Sequence, residues 1–269
     1  MYKYHEREDE LFARWMQRCK ELDGINPKED FAYDGLLFRG EYTYYNDNGY
    51  WERQPGNETE LWNNAPCRIL ILTKDVTRNG GLEDVRIETA RKNHTGNEIL
   101  TTDAIFYSNL MLWSYALLNA ARGGKISTYE TAPSWDQLRE HYCSAPIARV
   151  NCKKEIGQSS IANSLLKAHI NRYADLLCEQ IAMYDADIIL CCGGSGIIKD
   201  FVKQHYLPDL VRHSDDGWVY YSPSTAKIVI DSYHPSWRVL NKEENMAKKY
   251  AQMMADVKSF YTAHPQYLK

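Results

Sequence analysis

The chain has 269 residues, 44% of them hydrophobic and 25% charged, with a formal net charge of -4. That size and apolar content suffice for one larger core without requiring a second domain, and no apolar run approaches the roughly 18 residues of a membrane-spanning helix. Overall acidity argues against a uniformly basic nucleic-acid binder, but residues 1–60 hold 8 Lys/Arg against 14 Asp/Glu, giving -6 and leaving +2 for the remainder, where a local basic groove has room.

The start, Met1-Tyr2-Lys3-Tyr4-His5-Glu6, lacks the basic-then-apolar order of a signal peptide, so a cytoplasmic protein is expected. Glu6 to Glu21 reads as a helix with Leu11, Phe12, Trp15 and Met16 on one side, ended by Asp23-Gly24. The aromatic stretch Tyr42, Tyr44, Tyr45, Tyr50 and Trp51 is broken by Asn46-Asp47-Asn48-Gly49, a hairpin or loop signal. These rings can stack on bases beside a cleft, or simply pack the segment onto the domain.

The main body alternates. A strand at 68–73 leads into a long loop rich in Arg, Asn and Gly, then an apolar helix near 103–120 containing Phe106, Leu110, Trp113 and Leu117. A second strand, Ile147 to Val150, ends at Asn151, and residues 161–183 place Leu165, Leu166, Tyr173, Leu176, Leu177 and Ile181 at helical spacing. A third strand, Ile188 to Cys192, runs into Gly193-Gly194-Ser195-Gly196 and a helix, and a fourth, 227–231, precedes a last helix near 241–261. Short Val/Ile/Leu runs separated by helices predict an α/β fold, three-layer αβα, around a central four-stranded, mostly parallel sheet. Residues 1–64 are expected as an N-terminal helical and aromatic extension packed on a domain spanning 65–269.

Seven cysteines, an odd count without C-x-x-C, read as free thiols and show no zinc or iron-sulfur spacing, so neither metal nor cofactor is expected. The four strand ends carry Asp75, Asn151, the 193–196 glycine loop and His234, and the carboxyl edge of such a sheet is where ligands bind. Each has an ordinary reading as well: a helix cap, a turn residue, a strand-to-helix turn, a loop histidine before proline.

At these residues the chain resembles the uracil-DNA glycosylase superfamily. That family's first strand ends in G-Q-D-P-Y-H, and here the run ends Thr73-Lys74-Asp75-Val76-Thr77-Arg78. Its last strand leads to H-P-S-P-L, and here it leads to His234-Pro235-Ser236-Trp237-Arg238. Val150-Asn151 with Gly157-Gln158-Ser159-Ser160 looks like the strand whose Asn reads the base, and Ile188 to Gly196 is similar to the third strand and its glycine. The resemblance spans roughly 65–262 and implies a uracil-DNA glycosylase-like domain acting on DNA, with no membrane and no obligate protein partner.

It further implies a hydrolase of N-glycosyl bonds acting on a flipped-out pyrimidine. Asp75 would position water and stabilise the sugar cation, His234 would hydrogen-bond the leaving base, and Asn151 would read the base edge. Ser160, Gly194, Ser195, Gly196, Ser236, Trp237 and Arg238 become candidates for holding DNA and its phosphates. No lysine stands at a motif position suited to Schiff-base chemistry, so a monofunctional enzyme leaving an abasic site is expected. The family's Pro-Tyr, whose tyrosine excludes substituents at pyrimidine C5, is replaced by Val76-Thr77, so either room opens for a 5-substituted pyrimidine or the long loop from 76 to 101 folds back and refills the space; its wedge leucine is replaced by Arg238 beside Trp237. Phe106, Tyr107 and Trp113 are candidates to stack on the base. Two other readings stay open: a small-molecule nucleotide or nucleoside enzyme, and a catalytically silent DNA-binding relative.

Overall fold

The structure, a computed structural model, describes residues 4–24, 31–45, 50–54, 56–75, 84–89, 105–157, 161–237 and 242–269, with the side chains of 41–45, 50–54, 88 and 242–245 excepted. In chain order its elements are α1 (Tyr4–Asp23), β1 (Gly35–Leu36), β2 (Glu41–Tyr45), β3 (Tyr50–Gln54), α2 (Glu58–Asn64), β4 (Ile69–Thr73), a 3-10 turn (Val85–Thr89), α3 (Ile105–Ala121), α4 (Trp135–Ser144) and β5 (Ile147–Asn151). There follow α5 (Asn163–Arg172), α6 (Ala174–Tyr184), β6 (Ile188–Cys192), α7 (Ile197–His205), β7 (Val211–Arg212), β8 (Val219–Ser222), β9 (Lys227–Ser232), α8 (Lys242–Ala263) and a 3-10 turn (Pro265–Tyr267).

The four expected strands are the parallel centre of the sheet, in the order β5-β4-β6-β9. The sheet is wider than the expected four strands: it has seven, because β1 adds antiparallel to β5 at one edge and β8 with β7 adds antiparallel to β9 at the other. Those additions are two to four residues long, too short for their alternation to stand out in sequence.

Successive side chains of a strand point to opposite faces, and here each face builds its own core. Ile69, Ile71, Ile147, Ile188, Leu190, Ile228 and Ile230 pack with α3, α4 and α8, whereas Leu70, Leu72, Ala148, Val150, Ile189 and Val229 pack with α1, α5, α6 and α7. This gives three layers, αβα. Leu11, Phe12 and Trp15 of α1 belong to the second core and β1 joins the sheet, so the N-terminal residues share the interior of the rest.

The segment 161–183 is two helices broken at Tyr173, whose φ of -114° and ψ of 25° leave the helical region. The buried Tyr173 hydroxyl donates to Asp23 at the end of α1, a tertiary anchor invisible to periodicity. Helix α4 starts with a capping box between Ser134 and Gln137. The hairpin β2-β3 forms as the turn signal suggested, while the packing or stacking of its aromatic rings lies outside the described residues. All seven cysteines are unpaired thiols. Among the described residues no helix is long and apolar enough to cross a membrane, and no cluster of three His, Cys, Asp or Glu is arranged to hold a metal ion.

Candidate functional site

From β4 the chain crosses to β5 on one side, and from β6 it continues to β9 on the other, so the direction of winding reverses between β4 and β6. At such a switch point the loops leave the sheet in opposite directions and open a crevice beyond the carboxyl ends. Asp75 stands two residues past β4, Gly193 immediately past β6, and His234 two residues past β9.

Asp75 is half-buried and makes no hydrogen bond or ion pair with any described residue. Burial raises its pKa above the ordinary 3.8, and the positive fields of Lys153, Lys74 and His169 partly offset that rise. It lines a cavity of about 470 Å³ together with Lys153, Gly157, Ile161, Ala162, Leu165, Ala168, His169 and Arg172. Two cations, Lys153 and Arg172, an imidazole and an apolar wall thus surround an acid that has no partner among the described residues. Gly157 is required by close approach: a Cβ there would lie 2.4 Å from Asp75 Oδ2. His169 Nε2 contacts Glu155 Oε2, and Lys153 Nζ donates to the Glu155 carbonyl oxygen and lies 3.7 Å from Glu155 Oε2, so both side chains are braced by one residue.

His234 has a different environment. Burial, followed by the nearby Lys74 charge, lowers its pKa to about 4, so the ring is neutral at pH 7. Its Nδ1 accepts from the Ser236 backbone N–H at 3.2 Å, which leaves the ring proton on Nε2 as a donor. The loop is held from two sides. Asn109 Nδ2 on α3 donates to the Pro235 carbonyl at 2.6 Å, and Gly193, at φ 89°, passes so close that a Cβ would lie 3.1 Å from His234 Cβ.

The structure brings Asp75 and His234 to one sheet edge, where Lys74 acts electrostatically on both. It does not put both in the Asp75 cavity, whose walls come from the β5 and α5 side and exclude His234. Of the three stacking candidates, Phe106 comes to His234, with ring centroids 5.9 Å apart, and Tyr107 lies edge-on to Phe106. Trp113 is instead a core residue, fully buried against Tyr233.

Asn151 is turned inward, with 1% of its surface exposed. Its Oδ1 accepts from Thr73 Oγ1 at 2.7 Å, and its backbone N and Nδ2 donate to Asp34 Oδ2 at 2.7 and 3.1 Å. The expected base-reading amide is therefore spent on tying β4, β5 and the segment before β1 together.

The glycine turn has four consecutive positive φ values, 89°, 80°, 50° and 85° from Gly193 to Gly196, and Asn163 Nδ2 donates to Ser195 Oγ at 3.2 Å. The carboxylates of Asp231 and Asp200 lie beside Gly196, 3.7 and 3.9 Å from where a Cβ would stand, which opposes a phosphate at that point; Gly194 is packed against Leu166 and Ile198. Ser236 and Trp237 are exposed, and Trp237 packs edge-on to Tyr233 beneath the Lys249 ammonium of α8, 5.6 Å from the ring centre. Ser160, Arg238, Val76 and Thr77 lie outside the described residues.

Sequence reading missed Lys153, His169 and Arg172. Two signals were available: the cation pair Lys153-Lys154 just past a strand end, and the three-residue spacing of His169 and Arg172, which shares one helix face. No protein-family model matches this chain, and no curated protein matches it in sequence.

Proposed function

We propose that this chain is a DNA glycosylase that hydrolyses the N-glycosidic bond of a flipped-out pyrimidine and leaves an abasic site. One observation carries the reading: parallel strand ends present an ionisable acid with no partner among the described residues, Asp75, and a neutral imidazole whose Nε2–H is available, His234. Scission of that bond develops positive charge at the sugar C1′ and negative charge on the departing base, and these two groups answer opposite ends of it.

In this reading the Asp75 carboxylate faces C1′, stabilises the cation and orients the attacking water. His234 donates from Nε2 to the oxygen of the leaving base. A donor already neutral at pH 7 loses no proton as the base departs, and its hydrogen bond strengthens as charge accumulates. Lys153, His169 and Arg172 give the cavity a basic rim, of which His169 and Arg172 suit the flanking phosphates, and this fits a local groove on an acidic chain. The replacement of Pro-Tyr by Val76-Thr77 supports a base substituted at C5, such as a hypermodified cytosine of phage DNA, and hence a role in defence rather than repair.

The cavity volume of about 470 Å³ also favours a second reading, the same chemistry on a free nucleoside or nucleotide. Base release is measured from oligonucleotides bearing uracil, cytosine, 5-hydroxymethylcytosine or glucosylated cytosine, and from the corresponding free nucleotides. Release from a 5-substituted oligonucleotide, lost in Asp75→Asn, is the expected result. Release only from free nucleotides selects the second reading, a strict preference for uracil removes the enlarged-pocket idea, and no release from any substrate overturns both.

A further inference from the structure

The geometry points to a second activity that rests on the proposed function: Lys153 attacks the abasic product at C1′ and cleaves the strand as a lyase. Asp75 Oδ2 and Lys153 Nζ lie 2.4 and 3.7 Å from one point, the place a Cβ on Gly157 would occupy, with no direct ion pair between them. Both groups line the one cavity, so a sugar held there against the carboxylate is within the lysine's reach. Lys153 lines the Asp75 cavity with its side chain 17% exposed, whereas Lys74, the other lysine near Asp75, does not line it. The contact with the Glu155 carbonyl fixes the direction of the lysine stem. The motif comparison could not reveal this, because Lys153 belongs to the segment after β5 and meets Asp75 only through the β4–β5 pairing, continued by Lys153 N–H donating to the Lys74 carbonyl at 2.9 Å.

The chemistry closes without an added reagent. The Lys153 ammonium transfers a proton, relayed by water in the open cavity, to the Asp75 carboxylate, whose affinity for protons burial has raised. The free amine adds to the C1′ aldehyde of the ring-opened abasic sugar. Asp75 returns the proton to the carbinolamine hydroxyl, water leaves, and an iminium forms between C1′ and Nζ. The regenerated carboxylate then takes the C2′ proton as the C3′–O bond breaks and the 3′ phosphate departs with its electron pair. Water hydrolyses the conjugated iminium, releasing an unsaturated aldehyde end and restoring the lysine.

The test is reductive trapping with borohydride on an oligonucleotide that already carries one abasic site, so it does not depend on base release. Wild-type protein is expected to give a covalent protein–DNA band whose peptide map places the link at Lys153, and Lys153→Arg, which keeps a cation against Glu155, to lose it. Thermal melting of the variant checks its fold, and the wild-type peptide map identifies the lysine even if the variant fails to fold. No band, or a link at another residue, overturns the lyase. Base release by wild-type protein is scored separately: release without trapping leaves the glycosylase and removes the lyase, and trapping without release removes the glycosylase alone.

Discussion

Two aspartates flank the end of β5 and have opposite surroundings. Asp34 is fully buried and saturated: it receives the backbone and side-chain N–H groups of Asn151, the Lys154 ammonium at 2.5 Å and Gln180 Nε2 at 2.8 Å. Asp75 is half-buried and receives no hydrogen bond from any described residue, while Lys153, Lys74 and His169 act on it only through space. A buried charge left without partners is costly, so a fold keeps one only where something else constrains it. Asp34 is what a structural carboxylate looks like, and Asp75 has the surroundings that the proposed chemistry requires. The same contrast divides the cations: Lys154 is fully buried on Asp34, and Lys153, its neighbour, opens into the cavity.

The contrast can be broken first at Asp34. Asp34→Ala strips the fully buried Lys154 of its counter-charge and should cost about 3–5 kcal/mol, read as a lower urea midpoint; an unchanged midpoint would mean the network is not structural. Next, Asp75→Asn and His234→Ala should each lower base release by about 10²–10³-fold, the usual effect of removing one preorganised electrostatic group, with the far-ultraviolet spectrum unchanged. A smaller loss follows from Gly157→Ala, because the new Cβ would sit 2.4 Å from Asp75 Oδ2 and must push the carboxylate aside. We expect kcat to fall by about tenfold or more, as for a displaced catalytic group, and a normal kcat would show that the close approach has no catalytic role.

The mildest effect is on pH dependence. His234 has a folded pKa of about 4 against an ordinary 6.5, so the unfolded chain binds the proton more readily. Its contribution to stability is therefore present above pH 6.5 and lost as pH falls from 6.5 toward 4. Denaturation midpoints of His234→Asn across that window should show a shallower decline than wild type. An identical slope would place the acid sensitivity elsewhere.

Much of the frame was legible because it rests on local pattern. The four parallel strands are built on short apolar runs, interrupted only by Arg149 in β5 and bounded by polar residues, and such a run needs no tertiary information to be seen. Asp75 and His234 could be placed because each follows such a run by a fixed short step. Asn151 was identified in position but not in orientation: whether an amide faces a ligand or the interior depends on Asp34, 117 residues earlier in the chain, and no spacing rule links them. The basic rim escaped for the same reason, since Lys153, His169 and Arg172 come from two segments that only the packing of α5 over the sheet edge unites. The break at Tyr173 and the strand β1 were likewise set by contacts distant in sequence, with Asp23 and with β5.

On the proposed function, Asp75 is kept without a partner among the described residues for chemistry, at the expense of stability. Its pKa is raised in the fold, so the neutral carboxyl is the form the fold favours, and ionisation at neutral pH is destabilising. Measuring base release and the urea midpoint together at pH 7 for wild type and Asp75→Asn tests this most directly. The account predicts that release falls by about 10²-fold or more while the midpoint stays equal or rises, a gain that disappears as pH falls toward 3.8. Undiminished release, or release lost together with a lowered midpoint, would contradict it.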